Sequence, residues 1–191
     1  FTLDGIPLGD MSYGNSNGLH ISRAIIAENI STIELSQGSG SVTTASSGNL
    51  GGTLQFRSSV PRAEGGIRIA QTLGSDATTR TYIRMDSGDI NGMSGYISFA
   101  GADADKWKGW GSQEQTQFNG KLVYNFGTNK IAAFYNISRR NEVDYADLSL
   151  DSQRRLGWDF DNYAPDWQRA VDAARGIFTG GVNSVDDAYY L

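Results

Sequence analysis

From Gly65 onward the chain repeats one pattern, in which neighbouring side chains alternate between apolar and polar. It is clearest where Phe118, Gly120, Leu122, Tyr124 and Phe126 interleave with Gln117, Asn119, Lys121, Val123 and Asn125. Consecutive residues of an extended chain point to opposite faces, so such a run is a strand with one oily and one polar side. Ile67, Ile69 and Leu73 stand in this way against Arg68, Ala70 and Thr72, and Thr79, Thr81, Ile83 and Met85 against Arg80, Tyr82, Arg84 and Asp86. Met93, Gly95, Ile97 and Phe99 oppose Ser94, Tyr96, Ser98 and Ala100, and Ile131, Ala133, Tyr135 and Ile137 oppose Lys130, Ala132, Phe134, Asn136 and Ser138. The pattern predicts an all-β fold with small α content. Gly and Asn tolerate positive φ, so Asp89-Ile90-Asn91-Gly92 and Gly127-Thr128-Asn129 predict tight hairpin turns. Ala102–Glu114 between them reads as a long polar loop. Beyond Arg140 the alternation stops, and Asp166–Phe178 reads as a short helix, with Pro165 near its start and Gly180-Gly181 after it.

Composition narrows the function classes. The 191 residues include 24 Gly but only 3 Pro, and 11% are aromatic, which is too many for a disordered chain. The net charge of −5 argues against a dedicated nucleic-acid binder and a polybasic membrane-surface protein. Without cysteine there is no disulfide scaffold, Cys-ligated zinc, iron–sulfur cluster or thiol catalysis. The single histidine, His20, leaves most His-based triads and His-rich metal sites without their parts. No apolar run is long enough for a transmembrane helix, but a membrane β-barrel needs strands of only ~9–11 residues. A soluble β-sandwich also alternates. Long strands, short turns at one end and long loops at the other lean toward the barrel, as do aromatics near strand ends (Phe99, Phe118, Tyr124, Phe126, Tyr135). Phe1 and Leu191 are expected to be cut ends of a longer polypeptide.

The first part of the chain is sparsely charged. Phe1–Leu8 reads as a strand running into a turn at Gly9-Asp10, Met11–Gly18 as a polar loop, and Thr32–Ser36 and Thr53–Arg57 as strands. Gln37–Gly52 is a Gly/Ser/Thr stretch. It suits either a chain packed in a confined space or a flexible linker, and the spacing of Val42, Leu50 and Leu54 favours packing.

Three of these segments carry a resemblance. Phe1-Thr2-Leu3-Asp4-Gly5-Ile6-Pro7-Leu8 resembles the "V-x-V-D-G-V-P" strand in the plug of TonB-dependent outer-membrane receptors. Ile30–Gly38 is similar to that family's "I-E-R-I-E-V-x-R-G-P" segment, with Gln37 and Ser39 in place of its arginine and proline. Gly48–Phe56 is similar to its "A-x-G-G-x-I-N-I" stretch, preceded by Thr43-Thr44-Ala45 where the family has Tyr-Gly. The order and spacings match, and amphipathic hairpins follow. The resemblance implies the C-terminal part of a plug domain over 1–62. It implies about five first strands of a large transmembrane barrel, incomplete in this chain, over 63–191, with a long extracellular loop at 140–191. It further implies a transporter in the outer membrane of a Gram-negative bacterium, not an enzyme. Such a protein imports a scarce nutrient such as a siderophore, haem, cobalamin or an oligosaccharide with energy from TonB, which grips a TonB box missing here. Its partners are then TonB, outer-membrane lipid and a small nutrient ligand, with no nucleic acid and no cofactor. The alternative is a soluble secreted β-rich module, carbohydrate-binding or adhesive.

In the family, ligand is held between the plug loops and the extracellular loops. By position this implies Asp10, Tyr13 and Asn15 in one plug loop, Thr43, Thr44 and Ser46 in a second, and Trp107, Trp110, Trp158 and Trp167 from the barrel side. Aromatic faces suit siderophore rings or sugars, and the same tryptophans equally suit packing within their own loops or an interfacial belt. Arg80, Arg84, Lys121 and Asp86 are expected inside, against the plug or in wet space, because a charge on the lipid face costs ~2–4 kcal/mol at mid-membrane. No nucleophile–base pair and no metal set emerge. Asp103-Ala104-Asp105 and Asp159-Phe160-Asp161 do not match the twelve-residue calcium loop.

Overall fold

The computed structural model describes residues 1–9, 19–38, 51–161, 166–179 and 182. Among them the chain is mostly strand with three short helices, an all-β fold with small α content. Two sheets account for the strands. The first holds β1 (Thr2–Leu3), β2 (Ile6–Pro7), β3 (Ile30–Gln37) and β4 (Gly52–Ser58) in the order β2-β1-β4-β3. The second holds β5 (Gly65–Leu73), β6 (Thr79–Ser87), β7 (Met93–Asp105), β8 (Ser112–Phe126) and β9 (Asn129–Glu142), ordered as in the chain. The helices are α1 (Ile21–Ala24), α2 (Leu150–Leu156) and α3 (Trp167–Ala174), and a 3-10 turn spans Ala27–Asn29.

Several boundaries differ from expectation. Phe1–Leu8 is not one strand: Asp4 and Gly5 take φ of 50° and 83°, a two-residue turn that folds β2 back on β1. β1 then runs parallel to β4, while β3 and β4 pair antiparallel, with Ile33 opposite Phe56 and Leu35 opposite Leu54. The expected loop Ala102–Glu114 shrinks to 106–111, because β7 continues to Asp105 and β8 already begins at Ser112. The backbone ladder does not require bulky side chains, so the small and acidic residues Gly101–Asp105 extend it. In the same way β9 carries the fifth strand to Glu142. The expected helix Asp166–Phe178 is shorter: Asp166 is its N-cap, accepting from the Arg169 N–H at 3.0 Å, and it ends at Ala174. Helix α2, capped by Ser149, has no counterpart in the sequence expectations. The expected loop Met11–Gly18, most of Gln37–Gly52, Pro165 and Gly180-Gly181 lie outside the described residues.

The turn at Asn91-Gly92 forms as expected, with φ of 55° and 84° and paired hydrogen bonds between Ile90 and Met93. Gly92 is required there, since a Cβ would stand 2.5 Å from the Asn125 carbonyl oxygen.

The chain divides into two compact units. One comprises residues 1–72, 80–101 and 115–139; the other comprises 73–79, 102–114 and 140–191. In the first, Leu3, Ala24, Ile25 and Phe56 form an apolar core to which Phe134 of β9 adds. A second cluster joins Ile26 to Tyr82 and Ala100. The five-stranded sheet has one exposed and one buried side. Its apolar side chains are exposed, among them Ile69 at 68%, Ile97 at 51% and Leu122 at 49%. Its polar side is the buried one: Arg84, Asp86, Ser94, Ser98, Gln117 and Asn119 are all buried.

Candidate functional site

The buried polar face of β6–β9 is satisfied by residues 4–62. At its centre stands Asn29, fully buried at the end of the 3-10 turn. Its amide nitrogen donates to Ser98 Oγ at 2.7 Å and to Asn119 Oδ1 at 3.0 Å. Its amide oxygen accepts from the Tyr82 hydroxyl at 2.9 Å and from Arg84 Nη1 at 3.2 Å. Asn119 also accepts from the Ile26 N–H at 2.8 Å and donates to Asn136 Oδ1 at 2.7 Å, and Asn136 donates to the Arg23 carbonyl at 2.9 Å. One asparagine each from β8 and β9 thus meets the backbone of residues 23–29, and no buried amide in this chain of contacts is left unmatched.

Ion pairs flank the network. Arg84 holds Asp86 with two hydrogen bonds, of 2.8 and 2.7 Å, and donates to Ser59 Oγ at 2.6 Å and to the Val60 carbonyl at 3.2 Å. Its guanidinium also lies 3.8 Å from the centre of the Tyr96 ring. Asp86 accepts from the Arg62 N–H at 3.0 Å. Lys121 stands 3.7 Å from Asp4 and donates to Ser58, whose hydroxyl in turn donates to Asp4. Arg80 grips Glu28 through both carboxylate oxygens. Burial acts to raise the Glu28 carboxyl, but hydrogen bonds from Arg80 and its charge outweigh this and hold it below its ordinary value. The four charged residues expected on the inner face are therefore all engaged, each with a partner from the first 62 residues, and Arg84 and Asp86 also pair with one another.

Of the expected ligand-binding residues, Asp10, Tyr13, Asn15, Thr43, Thr44 and Ser46 lie outside the described residues. The tryptophans belong to the second unit and do not converge. Trp107 is half exposed, its ring 6.3 Å from that of Tyr145 and its backbone N–H donating to the Tyr145 hydroxyl at 3.3 Å. Trp110 borders an open depression of about 650 Å³, lined also by Asp105, Ser112, Asn141, Glu142 and Val143. Trp158 and Trp167 stand out at 71% and 84% exposure and share no ring contact with either.

The same unit holds a fully buried ion pair, Lys106 with Asp161. Lys106 Nζ also donates to the Asp144 carbonyl at 3.0 Å and lies 4.7 Å from the Tyr145 ring centre, while Asp161 accepts from the Ala146 N–H at 2.6 Å. Asp161 is thus a structural anchor, spent on a lysine. Among the described residues no three acidic or histidine side chains gather around a common point.

The residues missed at the level of sequence are the uncharged ones: Asn29, Tyr82, Ser98, Asn119 and Asn136. The available signal was amides and hydroxyls recurring on the polar side of successive alternating runs. No family model, no curated protein and no solved structure matches the chain.

Proposed function

We infer that the chain is part of an outer-membrane active-transport receptor of the TonB-dependent kind, with residues 1–62 the end of its plug and 63–191 the first strands of its barrel. The observation that carries this reading is the facing of the five-stranded sheet. Ile67, Ile69, Met85, Ile97, Leu122 and Ile137 face outward and uncovered, while Arg84, Asp86 and Asn119 are buried against residues of the first 62. Water favours the opposite arrangement, whereas a bilayer favours this one. The soluble-module alternative needs those apolar side chains covered within a dry core, and among the described residues they are exposed. Among the described residues no helix is long and apolar enough to cross a membrane, so strands do the crossing in this reading.

The chemistry is non-covalent. Nutrient binds from outside; TonB pulls on the plug, and the polar contacts around Asn29 exchange for water as the plug rearranges. A hydrogen-bonded interface suits such movement. Each net bond is worth only ~0.5–1.5 kcal/mol when water replaces the partner, although the apolar contacts of Ile26 with Tyr82 and Ala100 must be given up as well.

Fractionation tests the assignment. The protein is expected in outer membranes, resisting alkaline carbonate and released only by detergent. Recovery as a monodisperse monomer in the aqueous phase would sink it.

A further inference from the structure

We propose that the depression beside Trp110 is a saccharide subsite, taking a neutral, hydroxyl-rich ligand rather than an anionic iron chelate. The proposal rests on the uptake-receptor reading and gives it a substrate class.

The depression lies at the 106–111 turn between β7 and β8 and the end of β9, and its volume of about 650 Å³ falls within the usual range of small-molecule sites, roughly 300–1,000 Å³. Trp110 is 47% exposed and offers a rigid indole face. An indole face packs well against the C–H side of a pyranose ring, a contact that is apolar on one side and leaves hydroxyls free at the rim. Around it stand Asp105, Ser112 and Asn141, with Glu142 beside them held by Arg140. Carboxylates accept and amides both accept and donate, so together they match vicinal hydroxyls.

The same lining disfavours an anion. Two of its side chains are carboxylates, and its one cation, Lys106, is already committed to Asp161 and to the Asp144 carbonyl. Arg140, on the same strand end, is paired with Glu142. No surplus positive charge is left in the lining to neutralise a catecholate or hydroxamate chelate, and bringing one in would set it against the Asp105 carboxylate. The floor is built in: Gly111 has φ +121°, and a Cβ there would stand 2.5 Å from that of Val143, so the turn closes on β9 only because this residue is glycine.

The test uses the intact protein in lauryldimethylamine oxide, a detergent without a sugar head group. Tryptophan emission is titrated with maltotriose, cellotriose and xylotriose, and with ferric tris-catecholate as the anionic comparator. A saturable change with at least one trisaccharide is expected. Trp110→Ala should weaken it about tenfold or more, Trp110→Phe should retain most of it, and Trp158→Ala should leave it unchanged. Circular dichroism of the variants checks that each is folded. No response to any of the three sugars overturns the proposal, as does a response indifferent to Trp110→Ala or ferric tris-catecholate binding that Trp110→Ala abolishes. Fractionation of the same preparation separates the two ideas. Membrane-bound protein that ignores sugars sinks the subsite alone, and aqueous protein sinks the transport reading.

Discussion

At the scale of single residues, two ion pairs do different work. Glu28 and Arg80 are each only partly buried and are joined through both carboxylate oxygens. Because the folded Glu28 carboxyl lies below its ordinary value of 4.5, the pair contributes stability in full above that pH, and the contribution is lost as pH falls through the lowered folded value. The melting midpoint of Glu28→Gln should therefore trail the parent by a constant margin at neutral pH, corresponding to about 1–3 kcal/mol, and the margin should close in acid. A margin that widens in acid would contradict the assignment. Lys106 and Asp161 are wholly buried, so removing one partner strands a charge in a dry site. Lys106→Met alone should cost about 3–5 kcal/mol, and pairing it with Asp161→Leu should recover much of that in denaturant titrations.

At the scale of elements, strand length and facing decide the argument. β7, β8 and β9 run 13, 15 and 14 residues, longer than the ~9–11 needed to cross a bilayer, so their far ends project beyond it in the transport reading. Leu122 and Lys121 are neighbours on β8 with opposite fates: one is exposed on the apolar face, the other reaches Ser58 and Asp4. Leu122→Lys should cost ~2–4 kcal/mol of folding free energy in lipid vesicles if the position is near mid-membrane, measured by urea titration of tryptophan emission. A neutral or stabilising result would mean that this face meets water. The alternation itself was legible because period two is built into an extended backbone and needs no knowledge of neighbours. The ends of β7 and β8 were not. Gly101–Asp105 lacks large apolar side chains, and its ladder is set by the strand beside it, which local sequence does not reveal.

At the scale of the whole molecule, function in the transport reading depends on residues 1–62 moving against strands that hold them by polar contacts. The chain has no native cysteine, so a designed disulfide can test this cleanly. Asn29 and Ser98 meet side chain to side chain at 2.7 Å; with both replaced by cysteine and the disulfide shown closed by thiol labelling, uptake should stop under oxidising conditions and return on reduction. Uptake unaffected by the closed disulfide would refute movement at this contact. The sequence by itself determined that the chain is β-rich, that hairpin turns fall at Asn91-Gly92 and at Gly127-Thr128, and that each strand has an oily and a polar side; these follow from backbone period and from the φ that Asn and Gly tolerate. Only the tertiary structure decided which side is buried, and that Asn29 meets Tyr82, Ser98 and Asn119. An amide is equally content with water or with any matching group, and its partner is chosen by where distant strands bring other amides within reach.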